Sequence, residues 1–236
     1  MLSRREILSI LGLTAGGLQL KGSSGWSDLQ DEVFNGKTVQ SAKKGSQPAK
    51  SGLVLPPALK EGSKLAITAP ASPTTYWEMR YSLKELKRLG LEVEVGDTIK
   101  ERQSKYRYLS ASDEQRATEF MDFIKRDDID GIMCGRGGYG VMRILNMLDY
   151  DTIAKNPKPV IGYSDITALL VAIYNKTNIV TFHGPVAIST FNDYTIDHFQ
   201  KILMHSDNFE PVESTHSYME TFVEGKAQGR ITGGNL

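Results

Sequence analysis

The stretch Pro159-Val-Ile-Gly-Tyr-Ser-Asp-Ile-Thr-Ala-Leu169 changes its character at its centre. Its first part, Pro159 to Tyr163, is a short apolar run that predicts a buried strand. Its second part opens an apolar segment, Ile166 to Tyr174, that predicts a helix. Ser164 therefore falls where a strand meets the start of a helix, and this strand–turn–helix unit sets the pattern for the rest of the chain.

The same alternation of strand and helix runs in both directions from this unit. The other predicted strands are Lys64 to Ala69, Leu91 to Val95, Gly131 to Cys134 and Ile179 to Phe182. The other predicted helices are Tyr76 to Leu89, Ser112 to about Lys125, Val141 to about Leu148 and a segment near Ile196 to Leu203. Such alternation predicts an α/β fold with a mainly parallel sheet and helices on both faces. The site is then expected at the carboxyl ends of the strands.

Two local signals predict where helices begin and end. Ser112 followed by Gln115 has the spacing of a capping box, in which each residue satisfies a backbone N–H of the other. Gly90 directly follows the apolar stripe of the first predicted helix and is typical of a helix end. These signals support the predicted boundaries of two helices.

Composition excludes several classes of function. The chain has 236 residues, with 28 basic and 28 acidic side chains, so no global charge favours nucleic acid or an anionic membrane as partner. Its single cysteine excludes an intramolecular disulfide and a thiolate zinc site. Cys134 lies in an apolar run, which favours a buried strand residue over half of a Cys/His dyad. None of the four histidines has metal-ligand spacing to another, so we expect no metal.

The N-terminus resembles an export address. Ser3-Arg-Arg-Glu-Ile-Leu8 matches the twin-arginine pattern, and the apolar segment Ile7 to Leu20 is too short to span a bilayer. We expect residues 1–24 to be a twin-arginine-like signal that directs the protein to the periplasm or another exported location, with no integral membrane segment. The alternative is a helix with two incidental arginines in a cytoplasmic protein.

Composition also predicts the domain boundaries. Residues 25–52 are polar and rich in glycine and serine, which is typical of a flexible linker. Residues 53–205 form the α/β domain. Residues 206–236 are expected to hold an interdomain linker and only the start of a C-terminal domain, opening with a strand at Gln228 to Thr232. The chain is expected to be truncated within that second domain.

The residues around Ser164 allow two interpretations of its role. A serine on a sharp strand-to-helix turn projects its hydroxyl above the sheet, and the N–H of Asp165 points into the same space and can receive an oxyanion. This is the geometry of a nucleophile elbow, although Ile166 replaces the usual final glycine. Alternatively, Ser164 only caps its helix, with Asp165 complementing the helix dipole.

The loop Gly135-Arg-Gly-Gly-Tyr-Gly140 has three interpretations. It satisfies G-x-G-x-x-G after a strand and before a helix, which is the pattern of a dinucleotide site. However, earlier strands precede it, and Asp149, Asp151 and Asp165 do not stand where the ribose-binding acid belongs. The dinucleotide interpretation therefore stays open beside two others, in which the loop binds nothing or presents backbone N–H groups as half of an oxyanion hole.

Both loops, with five further segments in the same order, resemble the S66 family of serine peptidases, the LD-carboxypeptidases and their microcin-immunity relatives. The matching segments are Leu55 to Gly62, Ala66 to Pro70, Cys134 to Gly140, Leu148 to Tyr150, Pro159 to Leu169, His183 to Pro185 and Gly229 to Leu236. The combination is far more specific than either loop alone.

The resemblance implies a serine carboxypeptidase that cleaves the amide between an L-centre and a C-terminal D-amino acid, as in murein tetrapeptides. It implies Ser164 as nucleophile. Backbone N–H groups of Asp165, Gly138 and Gly137 then hold the oxyanion. Arg136, Tyr163 and His183 are placed at the substrate cleft. The family further implies no metal, no cofactor and a homodimer in the full-length form.

The chain departs from the family in length. The triad Glu and His belong to the C-terminal domain of the family, so no residue here takes either role, and we expect this chain to be inactive. His183 matches a His-Gly-Pro motif distinct from the triad histidine and is assigned to the wall of the site. Two alternatives stay open, which are a nucleotide-binding module using the Gly135–Gly140 loop and a non-catalytic fragment that binds peptide.

Overall fold

The computed structural model of the protein describes residues 52–100, 107–205 and 233–234. The predicted export signal, all but the last residue of the predicted linker, and the predicted strand at Gln228 to Thr232 lie outside these ranges. Within them, no helix has both the length and the apolar character that crossing a membrane requires.

The predicted parallel sheet is confirmed, and it has five strands over the part of the chain that is described. They are β1 (Lys64–Thr68), β2 (Glu92–Val95), β3 (Gly131–Cys134), β4 (Val160–Gly162) and β5 (Phe182–His183). Every neighbouring pair is parallel and the spatial order is β2-β1-β3-β4-β5. The central position of β3 places the glycine loop that follows it in the middle of one sheet edge.

Helices connect the strands, as parallel pairing requires. Seven α-helices lie in the described ranges: α1 (Tyr76–Arg88), α2 (Asp97–Lys100), α3 (Asp113–Lys125), α4 (Val141–Ile144), α5 (Tyr150–Lys155), α6 (Thr167–Thr177) and α7 (Asp193–Phe199). Two 3₁₀ turns, Leu145–Met147 and Ser164–Ile166, and a π-helical segment, Gln200–Met204, complete the set.

Both faces of the sheet are covered, as predicted. Along β3, Ile132 and Cys134 enter a core that also contains Phe120 of α3. Met133 faces the opposite way, into a second core that contains Met79 of α1. Since successive strand residues point to opposite faces, this division shows helices packed on both sides of the sheet.

Two helices begin with a capping box, of which only one was predicted. The Ser112–Gln115 capping box is present. In it, the Gln115 N–H donates a hydrogen bond of 3.2 Å to the Ser112 hydroxyl. A second box joins Thr75 to Glu78 at the start of α1. This box lies directly before Tyr76, where the helix was predicted to begin and where it does begin.

Two predicted elements differ in the structure, and two short helices were not predicted. The strand predicted at Ile179 to Phe182 is shorter and shifted to β5, while Ile179 forms an isolated bridge to Val54. The helix predicted from Val141 to Leu148 is α4 followed by a 3₁₀ turn. It ends because Leu148 is extended and Asp149 caps α5, a short helix that the sequence analysis missed. The short helix α2 was also missed.

Candidate active site

The two loops predicted to carry chemistry leave the same edge of the sheet. Met133 of β3 pairs with Ile161 of β4, so the chain emerges from these neighbouring strands at the same level. The glycine loop follows β3 directly, and Tyr163 and Ser164 follow β4. The carboxyl ends of parallel strands are where sites form in open α/β sheets, and this edge is the site that the fold provides.

Ser164 adopts a backbone conformation that serine rarely takes. Its φ is +64°, in the left-handed region, and it opens the 3₁₀ turn that leads into α6. Such a conformation costs a non-glycine residue about 1–2 kcal/mol. Gly162 makes the turn possible, because a Cβ there would lie 2.7 Å from Ile166 Cγ2. Strain of this kind persists where the surroundings fix it, which is typical of functional turns.

The glycine loop lies against Ser164 without space for a side chain. A Cβ on Gly137 would lie 2.8 Å from Ser164 Cβ and 3.1 Å from Ser164 Oγ. Glycine is therefore required at position 137 by the approach of the loop backbone to the serine. The structure thus brings together the two loops that the sequence analysis singled out.

Ser72 orients the peptide between Gly137 and Gly138. The Ser72 N–H donates to the Gly137 carbonyl at 3.2 Å, and the Ser72 hydroxyl accepts from the Tyr139 N–H at 3.2 Å. In a planar trans peptide the carbonyl and the following N–H point in opposite directions. Because the Gly137 carbonyl points to Ser72, the Gly138 N–H points away from Ser72.

Two backbone N–H groups near Ser164 are available to a ligand. Among the described residues, the Gly138 N–H donates to no protein acceptor. Asp165 lies in the first turn of the 3₁₀ segment, where backbone N–H groups have no partner within the helix. Donors beside a serine hydroxyl are the requirement for stabilising a tetrahedral oxyanion.

The Asp165 carboxylate contacts the glycine loop rather than only its own helix. Its Oδ2 accepts from the Val141 N–H at 3.0 Å, at the start of α4. The residue after Ser164 is thereby tied through its side chain to the residue after Gly140. Gly140 itself has a φ of +125°, which favours glycine.

Arg116 forms hydrogen bonds with the glycine loop and was not identified from the sequence. Its fully buried guanidinium donates to the carbonyl oxygens of Gly140, at 3.0 Å, and of Pro70. It also pairs with Asp113. Burial lowers the pKa of Arg116, while its hydrogen bond to Asp113 opposes that shift. The position of Arg116 was a signal in the sequence: it lies four residues before Phe120 and therefore on the same, buried face of α3.

The other residues assigned to the substrate cleft surround this edge. Arg136 is half exposed, and its Nη1 lies 3.3 Å from Glu78 Oε1. Tyr163 and His183 meet edge to face, with ring centroids 6.3 Å apart. Both line a cavity of about 280 Å³ together with Thr195. Arg136 and Tyr163 therefore lie on the loops that follow β3 and β4, and His183 is the last residue of β5.

The partners that would activate Ser164 are not found among the residues that the structure describes. Within those ranges, no hydrogen bond joins the Ser164 hydroxyl to His183 or to any other side chain. Cys134 is fully buried in β3, and burial raises the pKa of its thiol, which argues against a Cys/His dyad. The same ranges contain no group of three or more acidic, His or Cys side chains able to hold a metal.

The geometry of the glycine loop does not favour the dinucleotide interpretation. That interpretation needs a helix N-terminus whose free N–H groups receive the pyrophosphate. Helix α4 has only four residues, and its Val141 N–H already donates to the Asp165 carboxylate. A fixed negative charge thus occupies the position that a phosphate would take.

Gly138 allows a test of the loop geometry. A Cβ at this position would lie 2.2 Å from Ser72 Oγ, and φ is +108°. We expect Gly138→Ala to lower the free energy of unfolding by about 2–4 kcal/mol, combining backbone strain and overpacking. The change is measured by urea denaturation.

Two matched variants separate the causes. Gly62→Ala keeps the positive φ, +84°, in open space and should cost about 1 kcal/mol, since only strain is added. Gly184→Ala meets its nearest atom at 3.6 Å and should change stability by less than about 0.5 kcal/mol. A Gly138→Ala variant as stable as Gly184→Ala would contradict the described contact with Ser72.

Comparison with known proteins identifies the family to which this chain belongs. Residues 65–184 match the model of the LD-carboxypeptidase N-terminal domain of peptidase family S66. The chain belongs to this family. The matched range contains the glycine loop, Ser164 and His183, which agrees with the resemblance found in the sequence.

Relatives in sequence have names in the same class. The chain is 36% identical over 187 residues to a probable murein peptide carboxypeptidase of Bacillus subtilis, covering 77% of this chain and 57% of that protein. It is 35% identical over 125 residues to a murein tetrapeptide carboxypeptidase of Pseudomonas aeruginosa, covering 52% of this chain and 39% of that protein. The chain therefore spans less than two thirds of the length of these relatives.

Solved structures resemble the same part of the chain. The microcin C7 self-immunity protein MccF superposes with a TM-score of 0.59 at 33% identity, over 64% of this chain and 47% of that one. A muramoyltetrapeptide carboxypeptidase from Oxalobacter formigenes gives a TM-score of 0.54 at 27% identity, over 60% and 48%. The predicted α/β fold is thus that of carboxypeptidase relatives.

Proposed function

We propose that this chain carries the nucleophile half of a serine-type LD-carboxypeptidase that releases a C-terminal D-amino acid from murein-type peptides. The observation that carries the proposal is that Ser164, at φ +64°, lies against Gly137 of the glycine loop, and that the N–H of the next loop residue, Gly138, donates to no acceptor among the described residues. The names of the Bacillus and Pseudomonas relatives support murein peptides as the substrate class.

The chemistry begins with attack of the Ser164 hydroxyl on the carbonyl carbon of the scissile amide. The carbonyl oxygen becomes an oxyanion that the Gly138 and Asp165 N–H groups receive, and each such donor contributes about 10²–10³ in rate. A general base must take the serine proton and return it to the leaving amine. By resemblance to the family, a Glu–His pair of a C-terminal domain supplies that base.

A side chain at the rim of the site is suited to bind the C-terminal residue of a peptide. When the last peptide bond of a substrate is cleaved, the residue that leaves carries the free C-terminal carboxylate. The guanidinium of Arg136 follows the first glycine of the loop and is about 42% exposed, with one 3.3 Å contact to Glu78. Arginine is well suited to a carboxylate because its planar fork donates in pairs. We assign this side chain to binding of the terminal carboxylate.

The stereochemistry of the released residue tests the substrate class. The chain, joined to the C-terminal domain of the Bacillus subtilis relative, is incubated with murein tetrapeptide ending in D-alanine and with the same peptide ending in L-alanine. We expect release from the D-peptide to exceed release from the L-peptide by at least about 10³-fold, because a misplaced centre loses alignment with the nucleophile. Equal release from both peptides would refute LD specificity.

A second candidate substrate is an acylated nucleotide. Solved structures of MccF are titled as complexes with aspartyl sulfamoyl adenosine and with adenosine monophosphate. In this chain, a nucleotide would lie beside the serine rather than on α4, because the Val141 N–H is taken. Competition of aspartyl sulfamoyl adenosine against the tetrapeptide in the same assay distinguishes the two, since the acylated nucleotide inhibits only if it occupies this cleft.

A further inference from the structure

Two backbone groups of the glycine loop, and the N–H of the residue that follows it, are bound by side chains of neighbouring elements. Ser72 holds the Tyr139 N–H, and Arg116 holds the Gly140 carbonyl. Asp165 holds the Val141 N–H, directly after the loop. Of these three side chains, only Asp165 belongs to the turn that carries Ser164. It is therefore the direct side-chain link between the serine turn and the glycine loop within the described residues.

We propose that the Asp165 carboxylate is a positioning residue that sets the distance between the nucleophile and the oxyanion donors of the glycine loop. This inference rests on the proposed function for its effect on turnover, but the link itself is a property of the fold. The Asp165 main chain supplies one donor, and its side chain fixes the loop that supplies the other.

The geometry explains why this link would matter more than an ordinary cap. Helix α4 is a single turn and cannot hold its own N-terminus rigidly. The Gly137–Gly138 segment has no side chains of its own to pack. Without the carboxylate, the Val141 N–H loses its acceptor, while Ser72 and Arg116 still hold other groups of the loop. The Ser72 N–H still holds the Gly137 carbonyl, but no side chain of the serine turn then sets the distance between the Gly138 N–H and Ser164, although the fold remains.

The first experiment measures the link without requiring turnover. Backbone ¹⁵N relaxation is recorded on the 236-residue chain and on Asp165→Ala and Asp165→Asn. We expect order parameters of Gly137 and Gly138 near 0.85 in the unchanged chain and below about 0.6 in Asp165→Ala. Asp165→Asn should restore them, because its amide oxygen still accepts from the Val141 N–H.

A matched variant controls for the loss of any helix cap. Asp149 accepts from two backbone N–H groups at the start of α5, at 3.0 and 3.1 Å, and does not touch the glycine loop. Asp149→Ala should lower the melting temperature by about 2–4 °C, the range for loss of a cap in a domain of this size. It should leave the Gly137 and Gly138 order parameters unchanged.

The second experiment measures the effect on turnover in the chain joined to the C-terminal domain of the Bacillus subtilis relative. We expect Asp165→Ala to lower kcat by about 10–100-fold, which is less than the complete loss of one oxyanion donor. KM should change by less than about threefold, since ground-state contacts are kept. Asp165→Asn and Asp149→Ala should keep kcat within about threefold.

The outcomes separate the two proposals. If Asp165→Ala leaves both the order parameters and kcat unchanged, the positioning role is refuted while the carboxypeptidase stands. If the unchanged joined chain releases no D-alanine, the proposed function fails and the relaxation data alone decide the link. If Asp165→Asn behaves like Asp165→Ala in both measurements, the hydrogen bond to Val141 is not the cause and the inference is overturned.

Discussion

Replacing Ser164 by alanine is expected to lower turnover of the D-terminal tetrapeptide by about 10⁴-fold or more in the chain joined to the C-terminal domain of the Bacillus subtilis relative. Under the proposed function, the Ser164 hydroxyl forms the covalent intermediate, and the members of a catalytic triad act as a unit, so its loss would remove most of the acceleration. Stability should change little, because alanine and serine meet the same strain at φ +64°.

A second variant at the same position separates strain from chemistry. Ser164→Gly should be as inactive as Ser164→Ala but more stable by about 1 kcal/mol, since glycine adopts the left-handed region without a Cβ penalty. Turnover by D-alanine release and stability by urea denaturation give the two readouts. Turnover in Ser164→Ala within tenfold of the unchanged chain would refute the serine mechanism. Equal stability of the two variants would show that the turn stores no strain.

The fold was predictable because its signals are local and repeated. Each strand is a short apolar run such as Gly131–Cys134, and the helices between them carry apolar stripes. Parallel pairing follows from this alternation without any knowledge of partners. The predicted edge for the site follows in turn, because β3 and β4 both end in loops rich in glycine or serine.

Short elements escaped prediction for a physical reason. Helices α2 and α5 have four and six residues, too few to show an apolar period. Strand β5 has two residues, and its place is fixed by pairing of Gly162 with His183 rather than by its own composition. Tertiary contacts decide such elements, and the sequence of the segment alone does not contain them.

The sequence identified the two loops of the candidate site, but not the side chains that hold the glycine loop in place. Ser164 and the glycines were visible as a pattern, and the structure brings Gly137 against Ser164. Ser72 and Arg116 act through contacts across 67 and 24 residues of sequence, which no local pattern encodes. The Asp165 contact with Val141 is likewise a consequence of how the two loops meet.

The last prediction concerns the chain by itself: the 236-residue chain is expected to release D-alanine at no more than about 10⁻³ of the rate of the joined chain. A serine hydroxyl is a weak nucleophile near neutral pH and needs an adjacent base. Among the described residues, no side chain forms a hydrogen bond with the Ser164 hydroxyl as a base would, and His183 meets Tyr163 edge to face instead.

His183 provides the decisive control for this prediction. Both forms are assayed on the tetrapeptide, each with and without His183→Ala, beside Ser164→Ala as the blank. If the base comes from the C-terminal domain, His183→Ala lowers turnover of the joined chain only through the cleft wall that it forms with Tyr163, by about tenfold or less. Comparable turnover by the two forms, abolished by His183→Ala, would instead make His183 the general base. Under the proposed function, Ser164 at φ +64° supplies the nucleophile, and this control decides which histidine supplies the base that removes its proton.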